Sequence, residues 1–157
     1  MKKSVINFGL ITVAMLGIVF AFNLIQPKTA SAATTPTYSK VYSTAKAQLG
    51  KRYSWGAVGP YTFDCSGLTS YVYKHGASKS IPRTAQAQYN KYKKVSYKNI
   101  KKGDLVFFGW SKHSISHVGL YVGKGKMIDA QNRGVITESV KAPWWHYVGS
   151  ARVTALD

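Results

Sequence analysis

Acidic residues are scarce in this chain: five Asp and Glu stand against 22 Lys and Arg, a formal charge of +17. So one-sided a field favours a polyanionic partner. Cysteine occurs once, which excludes an internal disulfide and leaves any folded domain to be held by its core. With one cysteine and scattered histidines there is also no paired spacing of metal ligands, so metal catalysis is not expected and no cofactor is called for. Internal repeats and low-complexity tracts are missing as well, so a repeat architecture is not encoded.

What is present begins with an export pattern. Lys2 and Lys3 precede an apolar run from Phe8 to Phe22, and a polar stretch then ends in Ala30-Ser31-Ala32-Ala33. That order is a three-part signal peptide over residues 1–32, with cleavage expected after Ala32. The alternative is a retained membrane anchor, since the run from Val5 to Ile25 is 21 residues long, but Asn7, Thr12 and Asn23 weaken it. Removing residues 1–32 leaves 125, the size of one ordinary domain. Residues 33–38 read as a short linker and 39–157 as that domain, expected to act as a monomer.

Loss of Lys2, Lys3 and Lys28 leaves 19 basic residues against five acidic ones, a charge of +14. Outside the cytoplasm the available polyanions are wall teichoic acids, lipid phosphates and acidic glycans, so anionic wall polymers rather than nucleic acid are the expected partners. Lys91, Lys93, Lys94, Lys98, Lys101 and Lys102, interleaved with Tyr89, Tyr92 and Tyr97, form the densest patch. A solvated surface segment explains that patch as well as a polymer site does.

Val41, Ala45 and Leu49 share one stripe, predicting a helix over 39–49 with Ser39 or Ser43 as its cap. A second helix is predicted from Asp64, its N-cap, to Gly76. A third, shorter one is predicted over 84–92, after Pro82. Five short segments rich in β-branched and aromatic residues follow, at 104–108, 117–122, 126–130, 135–139 and 147–154. Helices first and antiparallel strands afterwards predict an α+β domain with the helices packed on one side of the sheet.

Cys65 falls in the first turn of the second helix. There the unsatisfied amides and the positive end of the helix dipole favour thiolate, the nucleophilic form. A buried, inert cysteine would be the default elsewhere in a sequence. The thiol needs a histidine from another part of the fold. His75 ends the helix, while His113 and His146 lie in polar or aromatic loop sequence. His117 opens a strand, sharing one face with Gly119 and Tyr121, and is the expected general base.

A third polar group should fix the imidazole tautomer. If Gly123-Lys124-Gly125 is a three-residue hairpin loop, Val122 pairs with Lys126 and Gly119 with Asp129. Asp129 then lies diagonal to His117 and Gln131 lies opposite it. A two-residue loop at Lys124-Gly125 turns both away. Under the longer loop Asp129 is preferred over Gln131, because a carboxylate stabilises an imidazolium more than an amide does.

Tyr53-x-Trp55-Gly56, Asp64-Cys65-Ser66-Gly67-Leu68, Pro82-Arg83-Thr84, the run Gly103 to Phe108 and the run Ser116 to Gly123 together resemble the NlpC family of bacterial cell-wall cysteine peptidases. The resemblance spans about Ser39 to Val153. It implies a papain-like fold and hydrolysis of peptidoglycan stem peptides, commonly between γ-D-glutamyl and a diamino acid. It matches Cys65 and His117 to the family's nucleophile and base. The third position, Asp129 here, is usually histidine or another polar residue. It further implies substrate contacts at Tyr53, Asp64 and Ser66, some to a free amino end. Arg83 either binds a substrate carboxylate or braces its loop, and bracing is slightly favoured. Two other readings stand beside hydrolysis: transglutaminase-like amide transfer, and a non-catalytic wall-binding protein.

Overall fold

The computed structural model describes residues 35–157. The predicted signal segment lies outside them. Among the described residues, no helix is long and apolar enough to cross a membrane.

Helix α1 spans Tyr38–Lys46 and is capped by Thr37, whose side chain accepts from the Lys40 amide. Neither Ser39 nor Ser43 is the cap. The helix therefore takes in Tyr38, the last residue assigned to the linker, whose ring stacks on Tyr42 and whose amide donates to the Asp157 carbonyl. Helix α2 spans Cys65–Ala77 with Asp64 as its N-cap, as its sequence predicts. His75 does not cap it; the imidazole packs on Tyr71, ring centroids 4.2 Å apart, and Ser78 closes the helix in the left-handed region. Helix α3 spans Ala85–Lys91 behind its Thr84 cap.

Two two-residue strands, β1 (Arg52–Tyr53) and β2 (Thr62–Phe63), pair in parallel within the glycine-bearing stretch that precedes α2. Strand β3 (Lys93–Val95) lies in the lysine-rich segment, and a 3-10 turn follows at Tyr97–Asn99. The remaining strands are β4 (Leu105–Ser111), β5 (Ser114–Gly123), β6 (Lys126–Gln131), β7 (Gly134–Ser139) and β8 (Tyr147–Arg152). The main sheet runs β3-β8-β4-β5-β6-β7 and is antiparallel throughout. The exposed Lys93 and Lys94 thus lie on an edge strand, where charge discourages pairing with another chain.

Period-two alternation divides the sheet. Leu105, Phe107, Val118, Leu120, Ile128, Ala130 and Val135 join Val41, Leu68 and Val72 of the helices in the principal core. The opposite face carries a smaller cluster of Val106, Phe108, Met127 and Val140, flanked by Tyr121, Trp145 and Tyr147. Helices α2 and α3 pack on β5, and α2 also on β6.

The β5–β6 hairpin differs from both arrangements considered for it. Gly123 pairs with Lys126, so the loop is the two-residue Lys124-Gly125, both at positive φ. The register then shifts between Tyr121 and Gly123, so that Tyr121 faces Met127 and Leu120 faces Ile128. One bulged residue restores the pairing that a three-residue loop would have given.

Candidate active site

The α2 N-terminus is built around Asp64. Its Oδ1 accepts from the Gly67 amide at 2.6 Å, and its backbone amide donates to the Ala57 carbonyl at 2.9 Å. Gly67 is required for that approach, because a Cβ there would lie 2.1 Å from the Ala57 carbonyl oxygen. The irregular stretch carrying Tyr53 and Trp55 is thereby pressed against the first turn of the helix, where Cys65 stands half-buried.

His117 reaches the site from β5. The ladder on its far side slips between Phe108, which faces His117, and Gly109, which faces Ile115. Such a bulge re-aims a strand side chain. The imidazole Nε2 lies 2.8 Å from Asp129 Oδ2, and the ring lines the same hollow as Cys65. Gly119 makes room for the carboxylate: a Cβ on it would sit 3.2 Å from Asp129 Cβ and 2.7 Å from Met127 Sδ.

Asp129 is the candidate that meets the imidazole. Gln131 instead accepts the Arg133 amide through Oε1 at 3.1 Å and lines the cleft. Asp129 is fully buried, and among the described residues its Oδ1 has no hydrogen-bond partner. Burial pushes its pKa up to about 6 against the pull of His117, and Glu138 adds to the rise. Burial draws the His117 imidazole down, but the bond to Asp129 and the proximity and charge of Cys65 outweigh it and bring it to about 9. Each partner thus favours the charged form of the other.

Trp145, Glu138 and Arg133 complete the surroundings of the ring, and no motif marks them. The Trp145 indole stacks on His117 and donates from Nε1 to Glu138 Oε1 at 2.9 Å. The other Glu138 oxygen accepts from Arg133 Nη2 at 2.9 Å. Glu138 meets residues only five and seven positions away, but no strand period predicts those contacts, and Trp145 meets His117 only through the fold.

Two hollows meet at Cys65, Trp55 and Ser116. The larger, about 630 Å³, is lined by Tyr53, His117, Gln131, Arg133, Trp144 and Trp145 among others. The smaller, about 490 Å³, is lined by Asp64, Ser66, Arg83 and Gln86 among others. Trp55 is 88 % exposed and walls both. A polymer crossing this groove would pass the thiol midway.

The residues expected to contact substrate divide between the hollows. Tyr53 lies beside the thiol; burial, then the charges of Cys65 and Asp64, raise its pKa, so its hydroxyl remains a donor at neutral pH. Asp64, Ser66 and Arg83 are engaged with one another. Arg83 donates from Nη1 to Asp64 Oδ1 and Ser66 Oγ, at 3.1 and 3.0 Å, and from Nη2 to Asp64 Oδ2. Its loop is tied to α2 by the buried Gln88, which donates to the Ser66 and Pro82 carbonyls. His113 and His146 are exposed and outside this constellation. Among the described residues, no group of three or more His, Cys, Asp or Glu could hold a metal ion.

Residues 50–152 match the NlpC/P60 family. The chain belongs to that family. It is 43 % identical over 125 residues to the probable endopeptidase p60 of Listeria grayi, covering 78 % of this chain and 24 % of that protein. Over 121 residues it is 40 % identical to the bifunctional muramidase/DL-endopeptidase CwlT of Bacillus subtilis, covering 74 % and 36 %. This NlpC/P60 chain therefore spans about a quarter to a third of those relatives' length. Among solved structures it is similar to RipD of Mycobacterium tuberculosis, a non-catalytic NlpC/p60 domain protein adapted to peptidoglycan binding. The TM-score is 0.65 and the identity 30 %, covering 74 % of this chain and 97 % of that one. The papain-like α+β fold and membership of a peptidoglycan endopeptidase family follow.

Proposed function

We propose that this chain is an exported, wall-associated cysteine endopeptidase that cuts peptidoglycan stem peptides between γ-D-glutamyl and a diamino acid. The observation that carries the reading is the grouping of three residues: Cys65 at a helix N-terminus, His117 lining the same hollow, and a fully buried Asp129 2.8 Å from the imidazole Nε2. The name DL-endopeptidase in CwlT supports the choice of bond.

The thiolate of Cys65 attacks the scissile carbonyl, and the oxyanion that forms is stabilised by the first backbone amides of α2. The His117 imidazolium gives its proton to the departing amine as the C–N bond breaks, leaving a thioester on Cys65. Now neutral, His117 takes a proton from water; the hydroxide adds to the thioester carbonyl, and the acid leaves as the thiolate returns. Asp129 holds the ring in one tautomer and offsets its charge at both steps. Tyr53 supplies a donor beside the reacting carbonyl, while Asp64, Ser66 and Arg83 shape the smaller hollow.

Association with anionic wall polymers is supported by where the acids lie. Asp64, Asp104, Asp129 and Glu138 are all buried, paired with Arg83, Arg152, His117 and Arg133. Asp157 is the only other acidic residue. Apart from that terminus, the exterior of the domain is cationic, which suits phosphate-rich polymers.

A defined tripeptide substrate with an added amine separates the readings. Release of a new amino group without incorporation of the amine supports hydrolysis, and incorporation supports amide transfer. Wall binding with neither product would place the chain with non-catalytic wall-binding proteins.

A further inference from the structure

Arg133 lies in the turn between β6 and β7 and lines the larger hollow together with Cys65. Its side chain is 56 % exposed, yet it is anchored below by Glu138, which is 7 % exposed. Beside it, the guanidinium carbon lies 5.4 Å from the Trp144 ring centroid. Glu138 is held in turn by the Trp145 indole. A long cationic side chain is thus fixed before any ligand arrives, which removes much of the ordering entropy that binding would otherwise cost.

The two groove arginines differ in what remains of their donors. Arg83 spends both terminal nitrogens on Asp64 and Ser66. Among the described residues, the Arg133 guanidinium makes one hydrogen bond, to Glu138, and the rest of its planar fork has no protein partner. Among the described residues, no acidic side chain lines the larger hollow, and its basic residues are His117 and Arg133. A guanidinium fork matches a carboxylate in shape and charge.

We infer that Arg133 is a specificity residue that binds a free carboxylate of the peptide flanking the scissile bond. This rests on the endopeptidase reading. A γ-linked glutamyl residue keeps its α-carboxylate, and the diamino acid carries one of its own. An enzyme using Arg133 in this way distinguishes peptides bearing the acid from those in which it is a carboxamide.

The test measures binding of L-Ala-γ-D-Glu-diamino acid tripeptide to the full chain carrying Cys65→Ser, by calorimetry. Two further peptides carry a carboxamide at the glutamyl or at the diamino acid carboxylate. One amidation is expected to weaken binding roughly tenfold, the size of a lost charge-assisted hydrogen bond. In the Cys65→Ser, Arg133→Gln protein all three peptides should bind alike, and Arg133→Lys should restore part of the difference. Equal affinity for acid and amide with Arg133 present, or a difference that persists in Arg133→Gln, overturns the inference. Failure of the endopeptidase reading would show separately, as absence of cleavage by the unsubstituted protein.

Discussion

The Trp145 indole lies flat on the His117 imidazole, with ring centroids 4.1 Å apart and planes 11° from parallel. Its Nε1–H is held by the buried Glu138 at 2.9 Å, so the stack has a fixed position and a fixed tilt. An aromatic face over an imidazolium stabilises the charged ring and shields it from water, by about 0.5–2 kcal/mol. Trp145→Ala should therefore lower kcat/KM roughly tenfold. Trp145→Phe keeps a face but loses the indole donor and should fall between. Equal rates in all three proteins would show that the stack is only packing.

The charge of Asp129 sets the pH range of the site. His117 keeps its proton up to about 9 because Asp129 and Cys65 outweigh the effect of burial. Above that value the imidazolium is lost and activity should fall. Asp129 takes up a proton as pH drops through about 6, which withdraws its support from the ring and contributes to the acid limb. Asp129→Asn leaves only Cys65 opposing the effect of burial on His117, so its alkaline limb should move to lower pH. Asp129→His, which can still orient the ring, should keep more activity than Asp129→Ala. Profiles of kcat/KM against pH check both points, and the limbs report the coupled groups together.

Much of this site is legible in the sequence because its determinants are local. Asp64 caps a helix with its own side chain, so the position of Cys65 follows from neighbours in the chain. Strand alternation likewise puts His117 and Gly119 on one face. Asp129 was legible only conditionally, since loop length sets the hairpin register, and a two-residue loop corrected by a bulge satisfies neither simple count. Strands β1 and β2, of two residues each, carry no periodic signal, and the lysines of β3 read as a solvated surface segment or a polymer site rather than as a strand. Trp145, Glu138 and Arg133 act through contacts that only the folded chain creates.

Gly67 couples the helix that carries Cys65 to the stretch that carries Tyr53. A methyl group there meets the Ala57 carbonyl at 2.1 Å, and one of the two segments must retreat. Gly67→Ala should destabilise the domain by about 2 kcal/mol, the usual cost of overpacking, and should lower activity beyond that loss. Thermal unfolding together with kcat/KM at a temperature where both proteins are folded separates the two effects.

With its four internal acids buried and paired, the domain meets its surroundings through lysine and arginine. Binding to purified walls should fall steeply as salt rises, since exposed charges are screened over about 8 Å at physiological ionic strength. Cleavage of a small neutral peptide should change little over the same range. Salt-insensitive binding to walls would remove the cationic surface from the account of targeting.

The most direct test of the account is mass spectrometry of purified peptidoglycan after incubation with the protein and with its Cys65→Ala, His117→Ala and His113→Ala variants. Fragments ending in γ-D-glutamate and new diamino acid amino termini are expected from the unsubstituted protein and from His113→Ala. Neither product is expected from Cys65→Ala or His117→Ala, with all four proteins folded. Undiminished cleavage by Cys65→Ala, or equal losses in the two histidine variants, would contradict the account.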